Sequence, residues 1–244
     1  MLKTLRSICK FIFFLLYIPI CIISSLFINP KKEYLKDSKY YRWLLDGYTW
    51  FGLTLARVKI HASGLEKIPQ DTRYVLVGNH YSNFDSLVEW HVLKDDKLAF
   101  ISKKENFRIP FFGNIIRKCC FMAIDRENPQ KALKTIYQAS ELLQSYEVSV
   151  GVYPEGTRNK SHKGLLPFHN AVFKIPQAAK APIVIVGIAG TENIHKNAPW
   201  KKTDVYMEVL RVLDAETVQT MKTNELGDIT QTELLAFAEK HGNA

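Results

Sequence analysis

The segment Asn79-His80-Tyr81-Ser82-Asn83-Phe84-Asp85 sets an imidazole and a carboxylate five positions apart, directly after the apolar run YVLVG at residues 74–78. A strand end is where α/β folds usually carry functional groups. Across a tight turn Asp85 can hold one ring nitrogen of His80 as a donor and leave the other free as a general base. The competing reading makes Asp85 the cap of the next helix and His80 structural. A second segment, Tyr153-Pro154-Glu155-Gly156-Thr157-Arg158, again follows an apolar run. Gly156 lets the backbone approach a ligand closely, and Arg158 can grip a phosphate with two parallel bonds. Taken alone, that segment also reads as an ordinary turn.

These residues need a frame to hold them. From about residue 58 the pattern is α/β. Short apolar or β-branched runs at residues 57–62, 74–78, 98–102, 121–124, 148–153 and 183–189 read as strands, and 205–213 adds a last one. Between them, residues 129–145 repeat Ala132, Ile136, Ala139, Leu142 and Leu143 at helical spacing. Asn128 is the expected N-cap, with Pro129 in the first helical position. Strands buried on both faces and alternating with helices predict an α/β fold, a mixed sheet flanked by helices. The tail from Asp214 is polar, with a weak helical pattern and no recognisable chemistry.

The chain of 244 residues is 47% hydrophobic and 23% charged, which excludes a mainly disordered or low-complexity protein. Lysine and arginine total 33 against 24 acidic residues, a net charge of +9. That balance favours anionic partners: nucleic acid, phosphorylated metabolites or an anionic membrane surface. Cys9, Cys21, Cys119 and Cys120 have neither zinc-ligand spacing nor the density of a disulfide scaffold. They read as small apolar fillers in a reducing compartment.

Residues 11–30 (FIFFLLYIPICIISSLFINP) carry no charge over 20 positions, about 30 Å as a helix. Lys3, Arg6 and Lys10 precede this run, and Lys31, Lys32, Lys36 and Lys39 follow it. A signal peptide, a single span and a monotopic insertion all compete. Basic residues on both flanks select no orientation and favour the monotopic reading. Next, Tyr40, Tyr41, Trp43, Tyr48, Trp50 and Phe51 form an aromatic cluster. It suits either a membrane interface or packing on the globular part. The expected organisation is therefore a pair of membrane-anchoring helices over residues 1–57 and a catalytic domain over 58–244.

Taken together, NHxSxxD and, some 70 residues later, PEGTR resemble the glycerolipid acyltransferase family, its lysophosphatidate acyltransferases in particular. Further blocks agree in order: KKENFRIPFFG at residues 103–113, Ile124-Asp125-Arg126, and Ala181-Pro182-Ile183-Val184. The resemblance spans roughly residues 60–190. Departures are Tyr81 for a common glutamine, Cys120 for a frequent glycine, Tyr153 for the usual phenylalanine and Asn159 for the usual serine.

The resemblance implies transfer of a fatty acyl group from acyl-CoA or acyl-carrier protein to the sn-2 hydroxyl of lysophosphatidate. It implies His80 as general base with Asp85 steadying the imidazolium, and Glu155, Gly156, Thr157 and Arg158 at the substrate, with Glu155 expected to pair with a base. Arg126 and Lys104 (or Lys103) are further substrate-binding candidates; their alternative is a role as solvated surface bases. No metal and no tightly bound cofactor is expected, since the remaining histidines do not cluster at ligand spacing. The expected partners are membrane lipids and the two substrates, not nucleic acid. The expected location is a membrane surface, with the site on the cytoplasmic side. Competing functions are acylation of another lysophospholipid, glycerol-3-phosphate or an acylated sugar lipid, and a non-catalytic basic membrane-binding protein.

Overall fold

The computed structural model describes residues 15–242. The first helix, α1, is described over residues 15–26. It is followed by α2 (Lys39–Leu55), β1 (Val58–Ser63), β2 (Val75–Gly78), α3 (Asp85–Val92), β3 (Leu98–Lys103), α4 (Phe112–Lys118) and β4 (Met122–Ile124). Then come α5 (Pro129–Gln144), β5 (Ser149–Val152), α6 (Lys174–Ala179), β6 (Ile183–Ala189), α7 (Ile194–Asn197), β7 (Thr203–Leu213), α8 (Ala215–Thr220) and α9 (Thr223–Lys240).

The strands form one sheet in the order β1-β7-β6-β2-β5-β3-β4. Only the β6–β7 pair is antiparallel. The sheet is mixed, as the sequence predicts, and each expected strand forms within a residue or two of its expected ends. The central strands bury both faces because their side chains alternate between two cores. Leu76 of β2 packs with Leu44, Leu45, Trp90 and Ile116 on the face covered by α2, α3 and α4. Val75 and Val77 pack with Ile136, Leu142, Ile175 and Leu234 on the face covered by α5, α6 and α9. Asn128 caps α5, its side chain accepting from Lys131 N at 3.1 Å with Pro129 beside it. Such a cap stabilises by about 1 kcal/mol.

Helix α2 belongs to the same core as the sheet. Arg42, buried, makes paired bonds to Asp37 and donates to the Leu98 carbonyl at the start of β3. Its guanidinium lies 4.5 Å from the Trp90 ring centre. Helix α1 packs on α2 in turn. The Tyr17 hydroxyl donates to the Leu44 carbonyl, and Ser24 Oγ and the Tyr40 hydroxyl are 2.6 Å apart. The aromatic cluster is thus divided: Tyr41 packs against the core, whereas Tyr40, Trp43, Tyr48 and Trp50 remain exposed. No helix of the described residues is long and apolar enough to cross a membrane. Residues 11–14 of the expected apolar segment, Cys9, and the basic residues Lys3, Arg6 and Lys10 lie outside the described residues. Cys21, Cys119 and Cys120 are buried free thiols. Burial pushes the Cys120 thiol up to about 12. Its φ of 60° lies in the left-handed region, which glycine enters without a steric cost.

Candidate active site

Strands β6, β2, β5, β3 and β4 are parallel neighbours, so their C-terminal ends lie side by side on one edge of the sheet. That edge gathers residues far apart in sequence. His80 follows β2, residues 154–158 follow β5, Thr191 follows β6, Lys103 ends β3 and Arg126 follows β4. Asn79 secures the first of these loops. Its amide donates to the Ile188 carbonyl at 2.8 Å and accepts from Ile188 N at 2.9 Å.

Asp85, fully buried at the start of α3, is the hub. Its Oδ2 accepts from His80 Nδ1 at 2.8 Å, Tyr81 N at 2.8 Å and Ser82 N at 2.7 Å. Its Oδ1 accepts from the Thr191 hydroxyl. A carboxylate that only accepts requires the proton on Nδ1, which leaves Nε2 of His80 as the basic nitrogen. Asp85 does not cap α3: Phe84 holds the N-cap position without a side-chain bond, and the Asp85 carboxylate holds the imidazole and the two loop amides ahead of the helix. The His80 ring is stacked on Tyr153, with centroids 4.2 Å apart and planes 5° from parallel.

Glu155 departs from the expected pairing with a base. It is buried, and its two oxygens accept from His80 N at 2.8 Å and Leu166 N at 2.9 Å. It therefore ties the His80 loop to the segment after PEGTR. Burial pushes its carboxyl above the usual glutamate value, and the two amide bonds partly oppose that. Asn159 adds a second tie, its N–H donating to the His80 carbonyl at 2.7 Å. Gly156 has φ +67°, which favours glycine, and a Cβ there would come within 2.9 Å of the His169 ring and press it aside.

His80, Gly156, Thr157, Arg158, Arg126 and Lys103 line a cavity of about 500 Å³. Its remaining wall is largely apolar, including Phe100, Ile101, Ile116, Phe121, Ile136 and Val152. Arg158 is half-buried and has no hydrogen bond or ion pair within the described residues. Partial burial lowers the Arg126 guanidinium from its ordinary value. Lys104 does not join these residues. Its amine lies 4.0 Å from Asp125 and 3.9 Å from Glu127 at the surface, and Lys103 faces the cavity instead. Among the described residues, no group of three or more His, Cys, Asp or Glu could hold a metal ion.

Sequence reasoning did not find Thr191 or Glu89. Thr191 lies 106 residues from Asp85 and meets it only because β6 pairs with β2. Glu89 is one helical turn after Asp85, a spacing that carries a signal, and its carboxyl oxygen accepts from the Tyr153 hydroxyl at 2.5 Å.

Residues 59–189 match the model of the family described as Acyltransferase. The chain is 30% identical over 223 residues to a 1-acyl-sn-glycerol-3-phosphate acyltransferase of Haemophilus influenzae, covering 88% of this chain and 85% of that protein. A Salmonella typhimurium protein of the same description is 32% identical over 119 residues, 49% of this chain and 48% of its own. In structure, the chain resembles the 1-acyl-sn-glycerophosphate acyltransferase PlsC of Thermotoga maritima, with TM-score 0.69 and 21% identity over 98% of this chain and 97% of that one. The family match spans His80 to Asp85 and the PEGTR loop, and the chain accordingly belongs to the Acyltransferase family of enzymes.

Proposed function

We propose that this enzyme transfers a fatty acyl group from a thioester, acyl-CoA or acyl-carrier protein, to the sn-2 hydroxyl of a 1-acyl-sn-glycerol-3-phosphate, giving phosphatidic acid. The observation that carries this reading is the cavity itself. It presents the His80 imidazole, oriented by Asp85, beside an unpaired Arg158 and an apolar interior. A lysophospholipid needs those three things: a base for its hydroxyl, a cation for its phosphate and an apolar wall for an acyl chain. The relatives' descriptions name this acceptor.

His80 Nε2 takes the hydroxyl proton as the oxygen attacks the thioester carbonyl, and the Asp85 carboxylate stabilises the imidazolium. Help of this kind contributes roughly 10²–10⁴-fold. The tetrahedral intermediate then expels the thiolate, which His80 protonates. Arg158 meets the phosphate with Gly156 and Thr157 beside it, and Arg126 and Lys103 supply further positive charge. Lys104, bound to surface carboxylates, is given no role. The substrate hydroxyl is the nucleophile, so no acyl-enzyme is required.

The enzyme sits on a membrane surface through α1 and α2, with the site on the cytoplasmic side where the soluble thioesters are. Leu16, Ile20, Ile23 and Phe27 form one exposed apolar stripe at helical spacing on and just beyond α1, and Phe27 is 81% exposed. Stripes of this kind bury in the headgroup boundary, and the flanking lysines meet acidic headgroups. The test is an activity screen of the purified protein, offering lysophosphatidate against other lysophospholipids, glycerol-3-phosphate and acylated sugar lipids, with acyl-CoA and acyl-carrier protein as donors. Preference for a phosphate-free acceptor, or undiminished turnover by folded His80→Ala enzyme, would overturn the proposal.

A further inference from the structure

The floor beneath His80 is a polar construction in a place where an apolar one would pack. The Tyr153 ring lies flat under the imidazole, and its hydroxyl reaches away from the cavity to Glu89 Oε2 at 2.5 Å. Glu89 is fully buried, and its Oε1 has no partner. Gly78, two residues before His80, leaves the space this carboxyl uses, since a Cβ there would stand 3.0 Å from Oε1. A buried carboxyl with one unsatisfied oxygen is destabilising. The arrangement retains it within one ring of the reacting base.

We propose that Glu89 and Tyr153 are a positioning pair for His80. Glu89 holds the Tyr153 hydroxyl, and the ring so held sets the plane of the imidazole and offers its face to the imidazolium formed during proton transfer. A cation over an aromatic face is attracted by the ring quadrupole, most strongly where water is excluded. Burial pushes the Glu89 carboxyl well above the usual glutamate value, with the nearby Asp85 adding to the effect. Burial thus favours the neutral form of Glu89, with the Tyr153 bond opposing it, and the charge partner in direct contact with the imidazolium is Asp85. Phe100, stacked at 6.0 Å on Tyr153, stays apolar and limits how far the ring can move.

The inference rests on His80 as the base, so the test separates the two ideas. The groups around His80 are Asp85 from α3, Glu155 from the loop after β5, and the cavity cations Arg158, Arg126 and Lys103 with His169. None of them is altered. The rate and its pH profile are measured for wild type, His80→Ala, Glu89→Gln, Glu89→Leu and Tyr153→Leu, with folding checked by circular dichroism. Glu89→Leu should lower kcat about tenfold and leave both KM values within about twofold, because nothing that touches substrate changes. Glu89→Gln keeps an acceptor for the hydroxyl and should recover most of the rate. Tyr153→Leu removes the ring face, so the imidazolium is less stable and the acidic limb of kcat/KM should move about one pH unit lower. If Glu89→Leu does not fold, Tyr153→Leu and Glu89→Gln carry the test. A purely structural pair would lower Tm but leave the limb and kcat in place, and that result overturns the inference. So does a Glu89→Gln enzyme as slow as Glu89→Leu. An active His80→Ala enzyme would overturn the underlying mechanism instead.

Discussion

Replacing Asp85 with asparagine tests the catalytic pair at the level of single hydrogen bonds. Oδ2 of Asp85 accepts from His80 Nδ1, Tyr81 N and Ser82 N, and Oδ1 from the Thr191 hydroxyl. An asparagine can keep all four contacts in one orientation. Its oxygen takes the place of Oδ2, and its NH₂ faces Thr191, whose hydroxyl rotates to accept. The opposite orientation sets NH₂ against two buried backbone N–H groups. At about 1–3 kcal/mol for each unsatisfied donor, it lies about 2–6 kcal/mol higher. The loop amides therefore preserve the histidine tautomer, and only the charge is lost. The imidazolium then loses a charge-assisted hydrogen bond, worth about 1.5–3 kcal/mol, so turnover should fall roughly 10–10²-fold. An imidazole left in the wrong tautomer loses about 10⁴. The assay follows thiol release from the thioester across pH for wild type, Asp85→Asn and His80→Ala. The acidic limb should move to lower pH in Asp85→Asn, because the imidazolium has lost its partner. A loss near 10⁴ with an unmoved limb would refute the claim that Tyr81 and Ser82 choose the orientation. A wild-type rate would refute any role for the carboxylate charge.

Arg158→Lys keeps a positive charge but loses the planar fork, and should raise the acceptor KM several-fold with a smaller change in the thioester KM; the reverse pattern would assign Arg158 to the donor. Burial raises the Glu89 carboxyl in the folded state above the value of about 4.5 that it has in the unfolded chain, so the folded protein holds that proton to higher pH. The folded protein thus binds more protons there and loses stability as pH climbs. Glu89→Gln should therefore flatten the fall of Tm as pH rises above about 4.5, and identical slopes for both proteins would contradict the burial argument. Wild-type protein should stay on anionic vesicles through a salt wash, since salt screens charge and not apolar burial; replacing Ile23 and Phe27 with aspartate should release it, and retention of that variant would place the attachment elsewhere.

The catalytic residues and the strand set are legible in the amino-acid order because each depends on neighbours a few positions apart. His80 and Asp85 share one tight turn, Gly156 and Arg158 share another, and the strands announce themselves as short apolar runs between turn residues. The fate of the two lysines was not legible. Strand β3 ends at Lys103, beside the cavity, and the turn that follows carries Lys104 to Asp125 and Glu127 at the surface; local sequence does not set that boundary to one residue. Glu155 reads as a partner for a base, because a bare carboxylate is unfavourable beside a phosphate. Tertiary structure aims it instead at two backbone amides that converge only when the loops after β2 and β5 lie side by side. Thr191 reached Asp85, and Tyr153 reached both His80 and Glu89, through strand order alone. A chain carries its local turns and periodicities in its own letters. Which strand ends become neighbours is decided by hydrogen bonding and burial summed over the whole sheet, and that sum has no local signature.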